Sequence, residues 1–102
     1  MATIEQLTTR IADTLRAGQP LSHVVKIDLK GAGFIHIDGA VVTNHDAPAD
    51  LVVTISLEDV VALGRRRLDP MTALMSRRMR MSNMGLAMSM QSQIQTLFSL
   101  AA

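Results

Sequence analysis

The stretch LDPMTALMSRRMRMSNMGLAMSM, Leu68 to Met90, passes through three kinds of local signal in quick succession. Asp69-Pro70 is a helix start, with a carboxylate able to cap free N–H groups and a proline whose fixed φ suits the first helical position. Met71, Leu74, Met75 and Arg78 then recur at helical spacing. Met79 and Met81 alternate with Arg78, Arg80 and Ser82, the period of a short strand. Asn83 to Gly85 breaks that strand, and Leu86 to Leu100 forms a last helix with Leu86, Met90, Ile94 and Leu97 on one stripe. A strand is therefore held between two helices late in the chain.

Upstream, Thr3 and Gln6 form a capping box. Ile4, Leu7, Ile11 and Leu15 give a first amphipathic helix that Gly18 and Pro20 stop. The period changes to two at Val25, Ile27 and Leu29, which alternate with Lys26, Asp28 and Lys30. Lys30-Gly31-Ala32-Gly33 is a turn, and strands follow at Phe34 to Asp38 and, past Gly39, at Val41 to Thr43. A turn cluster at Asn44 to Asp50 leads to Leu51 to Ile55, whose nearly continuous apolar run predicts a central strand. Ser56 and Asp59 cap a helix over Leu57 to Leu63, ended by Gly64. The order α-β-β-β-β-α-α-β-α predicts an α+β fold, a five-stranded and mostly antiparallel sheet with helices packed on one face.

The sequence has 102 residues, 48% apolar and 19% charged, which suits a single domain spanning residues 1–102. A domain of this size buries roughly 60 to 70% of its extended-chain surface. Cysteine is absent, which excludes thiol nucleophiles and Cys-based zinc sites and suits a reducing cytosol. No charged-then-apolar leader and no bilayer-length apolar run is visible. Residues 81–102 carry no charge, yet nine of these 22 are Ser, Thr, Asn or Gln, too polar for a spanning helix. The reading is a soluble, cytoplasmic protein.

Catalytic signals are weak. Gly31-Ala32-Gly33 lacks the third glycine and the helix of a dinucleotide loop, so a hairpin turn explains it better. His23, His36 and His45 form no helical i,i+4 pair, and only His36 and Asp38 share a strand face, too few ligands for a metal. An enzyme acting through His36 and Asp38 is the least favoured reading. No catalytic residue, metal site or cofactor is expected.

Seven of the eight methionines (71, 75, 79, 81, 84, 88 and 90) lie within 20 residues, against two Phe and no Tyr or Trp in the whole chain. They are either gap-filling core or the deformable wall of a cavity, since a thioether chain adapts to alkyl chains and rings of differing shape. Charge divides as unevenly. Up to Gly64 four basic residues face eight acidic ones, net −4, whereas from Arg65 onward six arginines face only Asp69, net +5. Three readings stand for these arginines: a solvated surface at a helix exit, a nucleic-acid face, and attraction to an anionic membrane surface or a ligand carboxylate or phosphate. The lack of Tyr and Trp for base stacking argues against nucleic acid.

The segments Leu68 to Met75, Met79-Arg80-Met81 and Met84 to Met90 together resemble the C-terminal half of the sterol carrier, or nonspecific lipid-transfer, domain family. Phe34 to Gly39 and Ala49 to Ser56 match its strand patterns more loosely. The resemblance implies five strands and several helices around an apolar tunnel that takes up sterols, fatty acids, acyl-CoA or phospholipids without covalent chemistry. It also marks departures. Arg66 and Arg77 stand where the family's pattern has glycine, and Asn83 stands in place of a glycine-acid pair. The last residues, Ser99-Leu100-Ala101-Ala102, are not a Ser-Lys-Leu-type peroxisomal address, which suits a bacterial-type, stand-alone domain.

The resulting expectation is non-enzymatic binding and carrying of a lipid in a Met-rich cavity. Leu74, Met75, Met79, Met81, Met84, Met88, Ile94 and Phe98 are the expected lining, with Ile27, Phe34 and Ile55 on the facing sheet. The expected partners are a lipid ligand and, in transient contact, an anionic membrane surface. The alternative is an accessory module whose last helix docks onto a lipid- or quinone-metabolising enzyme.

Overall fold

The computed structural model describes residues 3–18 and 21–99, and of Phe98 and Ser99 the backbone alone. Helix α1 (Ile4–Ala17) begins at the expected capping box, with Thr3 Oγ1 accepting from the Gln6 N–H at 3.2 Å and Gln6 Oε1 accepting from the Thr3 N–H at 2.9 Å. Its stripe Leu7, Ile11 and Leu15 is buried, each side chain stabilising the fold by about 1.5–3 kcal/mol. The Gly18 N–H donates to the Thr14 carbonyl at 2.8 Å and closes the helix, while Pro20 lies outside the described residues.

Strands β1 (Val25–Asp28), β2 (Phe34–Asp38), β3 (Val41–Thr43), β4 (Leu51–Ile55) and β5 (Met79–Met81) form one sheet in the order β3-β2-β1-β4-β5. Neighbours pair antiparallel except β1 and β4, which run parallel. Strand β4 is interior, yet its burial alternates, Leu51, Val53 and Ile55 inward and Val52 and Thr54 half-buried. Its apolar run reflects β-branched residues on a partly covered face, not burial on both sides. That second face is partly roofed by residues 44–50, which lead from the β3 edge back to β4. Lys26 Nζ meets Asp46 Oδ1 at 2.6 Å, and the His36 Nε2–H donates to the Pro48 carbonyl at 2.9 Å.

Helices α2 (Leu57–Gly64), α3 (Pro70–Met75), α4 (Met84–Ser89) and α5 (Gln91–Ser99) complete the fold. Sheet residues such as Ile35, Val25, Val53 and Ile55 share one continuous buried cluster with Leu7, Ile11, Val60, Ala73, Met90 and Ile94 from the helices. The helices thus pack on one sheet face, as expected. Two details differ from the sequence reading. Gly85 lies inside α4, because the Asn83 side chain accepts from the Leu86 N–H and starts a helix there. The expected single last helix is broken at Met90, whose N–H caps α4 by donating to the Leu86 and Ala87 carbonyls. Its stripe survives the break, with Met90, Ile94 and Leu97 all buried; Leu100 lies outside the described residues.

Helices α2 and α3 end alike. After α2 the Arg66 N–H donates to the Leu63 carbonyl and the Arg67 N–H to Ala62; after α3 the Arg77 N–H donates to Leu74 and the Arg78 N–H to Ala73. These are Schellman motifs, whose reversing residue is left-handed and usually glycine. Here the reversing residues are Arg66, φ +60°, and Arg77, φ +63°. A side chain in that region costs about 1–2 kcal/mol, part of which glycine gives back through its freer unfolded chain. Arg77→Gly is accordingly expected to stabilise the domain by about 0.5–1 kcal/mol, read as a rise of a few degrees in the thermal midpoint; an unchanged or lower midpoint would contradict the strain.

Candidate functional site

The edge strand β5 pairs with β4 in the register Ile55–Met79 and Val53–Met81, which turns both methionines toward the helices. Helix α3 arrives through its Asp69 cap, Oδ2 accepting from the Thr72 N–H at 3.2 Å, with Pro70 at its start. It docks by Ala73, which is fully buried. Helices α4 and α5 close the opposite side. Between them lies a cleft of about 1150 Å³.

The cleft has a floor and a rim. Leu63, Leu68, Met79, Ala87 and Ile94 are buried and form the floor, joined by the half-buried Leu74 and Met81. Met71, Met84 and Met88 stand on the rim, exposed by 63%, 48% and 67%. Arg66 and Arg67 border the α2–α3 turn, and Gln91, Ser92, Gln95 and Thr96 line the α5 side. Exposed thioethers above an aliphatic floor form an apolar patch that water covers poorly.

Of the expected lining, Leu74, Met79, Met81, Met84, Met88 and Ile94 meet at this cleft. Met75 does not: it is 78% exposed and outside the lining, because α3 packs through Ala73 rather than through its methionine stripe. Ile27 and Ile55 share the inward sheet face but lie beneath, Ile55 one strand in from Met79 and Ile27 two strands in from Met81, both packed in the core. Phe34 is on the other face altogether. Its register partner is Asp28, and Lys26 Nζ stands 5.5 Å from its ring centroid. The parity of the strand already carried this, since Phe34 alternates with Ile35 and Ile37 in phase with His36 and Asp38. Phe98's side chain lies outside the described residues.

Leu63, Leu68, Met71, Ala87 and the two arginines were not in the expected lining. Ala87 was legible from its place three and seven residues before Met90 and Ile94, and Met71 from its place three residues before Leu74. The space between the inner strands and the helices is filled by the core, and the cleft lies at the β5 edge. Among the described residues no group of three His, Cys, Asp or Glu is placed to hold a metal ion. His36 is engaged with Pro48, away from the cleft. Among the described residues no helix is long and apolar enough to cross a membrane.

Three solved structures share the fold. The sterol carrier protein 2 like 2 of Aedes aegypti superposes with TM-score 0.72 at 23% identity, over 85% of this chain and 92% of that one. A sterol carrier protein 2 gives TM-score 0.65 at 13% identity, over 93% and 92%. The sterol carrier protein domain 2 of Helicoverpa armigera gives 0.55 at 24% identity, over 94% and 76%. No curated protein sequence matches the chain. The family model described as the SCP-2 sterol transfer family matches residues 4–95, nearly the whole length, and the chain belongs to that family.

Proposed function

We propose that this protein is a non-enzymatic lipid carrier that holds the apolar part of a fatty acid, acyl-CoA, phospholipid or sterol-like molecule in the β5-edge cleft. The observation that carries this reading is the cleft itself, floored by aliphatic and thioether groups and rimmed by exposed methionines. Membership of a sterol transfer family supports the same class of ligand. The energetics suffice. Each methylene moved out of water contributes about 0.8 kcal/mol, and micromolar binding corresponds to about 8 kcal/mol. A long acyl chain reaches this range even after association costs offset part of the gain. Specificity for the tail is broad, because three rotatable bonds let each methionine follow the ligand's shape.

Loading and unloading take place at an anionic membrane surface in this reading, supported by the basic C-terminal part of the chain and the exposed Met71, Met84 and Met88. Delipidated protein is expected to bind a fluorescent fatty acid with a Kd in the micromolar range or below. It should also sediment with phosphatidylglycerol vesicles at low salt and be released as salt rises. Saturable binding absent from the titration, together with no lipid in native mass spectra of the expressed protein, would remove the carrier reading.

A further inference from the structure

The two Schellman turns differ in one respect: Arg77 lies outside the cleft lining, whereas Arg66 lies in it together with Arg67. The helix-end carbonyls do not require either side chain, because backbone N–H groups of residues 65, 66 and 67 already bond the Val61, Leu63 and Ala62 carbonyls. Both arginines are exposed, and among the described residues neither side chain has an ion-pair or hydrogen-bond partner. The lining holds one acid, Asp69, and its carboxylate is engaged by the Thr72 N–H. The cleft therefore has a cationic end at the α2–α3 turn, with an apolar floor and methionine rim beyond it and neutral polar side chains along α5.

We propose that Arg66 and Arg67 form a headgroup subsite, making the cleft selective for amphiphiles whose polar end is an anionic oxygen group, a carboxylate or a phosphate. The proposal rests on the carrier reading and names its ligand class. The guanidinium fork suits both groups, since its N–H donors match paired anionic oxygens. In a half-open cleft such charge-assisted bonds discriminate between headgroups, while the tail supplies the affinity common to all ligands.

The test is displacement of a fluorescent fatty acid, below the micellar concentration, by palmitate, palmitoyl lysophosphatidate, monopalmitin and hexadecanol. Palmitate and palmitoyl lysophosphatidate are expected to bind about ten-fold more tightly than the two neutral amphiphiles. Acetate and inorganic phosphate, which lack a tail, should not compete. The double variant Arg66→Gln, Arg67→Gln should bring the preference close to unity, by weakening palmitate and palmitoyl lysophosphatidate about ten-fold. Arg66→Gly should raise the thermal midpoint by a few degrees and weaken the preference, whereas Arg77→Gly should raise the midpoint and leave the preference intact. Equal binding of anionic and neutral amphiphiles by the unmodified protein overturns the subsite and leaves the carrier reading standing. A preference that survives in the double variant overturns the assignment to these arginines. Failure of every amphiphile to bind removes the carrier reading, and the subsite with it.

Discussion

Met79→Asp is expected to cost more than about 4 kcal/mol and to leave the domain largely unfolded at 37 °C, since domains of this size have only about 5–15 kcal/mol in total. Met79 is 2% exposed, pairs with the fully buried Ile55 across β4–β5, and lies in the continuous core as well as at the cleft floor. A carboxylate there is short, so it cannot reach water along a stem as lysine can, and the cleft offers no cation on the floor to pair with it. The charged form is then desolvated without compensation. The companion Met79→Leu conserves volume and should cost less than about 1.5 kcal/mol. Guanidinium unfolding followed by circular dichroism separates the two. A mild Met79→Asp, within about 1 kcal/mol of the parent, would show that β5 is not packed as described.

The second large effect falls on binding rather than folding. The double variant Met84→Gln, Met88→Gln should keep its unfolding free energy within about 1 kcal/mol, because both side chains are rim residues, exposed by 48% and 67%, and exposed substitutions cost little. Glutamine is also nearly as good a helix former as methionine, so α4 is not weakened. Covering a methionine side chain with ligand is worth about 1.5–3 kcal/mol when burial is complete. With partial cover on each, the pair should lose about 10- to 100-fold in affinity for a fluorescent fatty acid. Met84→Leu, Met88→Leu should retain the affinity. If the glutamine pair binds as tightly as the parent, the ligand does not lie against this rim and the cleft is not its site.

The contrast between these variants comes down to which methionines are floor and which are rim, a distinction local pattern does not contain. Met75 and Met79 are both apolar, in phase with a helix and a strand respectively, yet one is 78% exposed and the other 2%. A methionine stripe on a six-residue helix is too short to compel burial when the neighbouring Ala73 allows a closer approach. Phe34 shows the opposite situation. Its outward face followed from strand parity, which sets it apart from Ile35 and Ile37, although it was expected on the facing sheet with Ile27 and Ile55. Arg66 and Arg77 are intermediate: the resemblance marked both as replacing glycine, while only the left-handed φ of each turn revealed what that replacement costs.

From the residues themselves came the strands, three of the helix starts and the class. Thr3, Ser56 and Asp69 each start a helix through their own side chains, and all five strands lie where period-two or apolar runs put them. Such features depend on groups within a few residues of one another, and the chain carries them wherever it goes. Tertiary structure decided the order β3-β2-β1-β4-β5, the parallel β1–β4 pair, the break of the last helix at Met90, and the place of the cleft at the sheet edge. Periodicity records that one side of an element seeks an apolar partner, but it cannot name the partner or say whether the space between them closes. For a sequence so rich in methionine, apolar and adaptable on a floor or a rim alike, that second question is answered only by the packing.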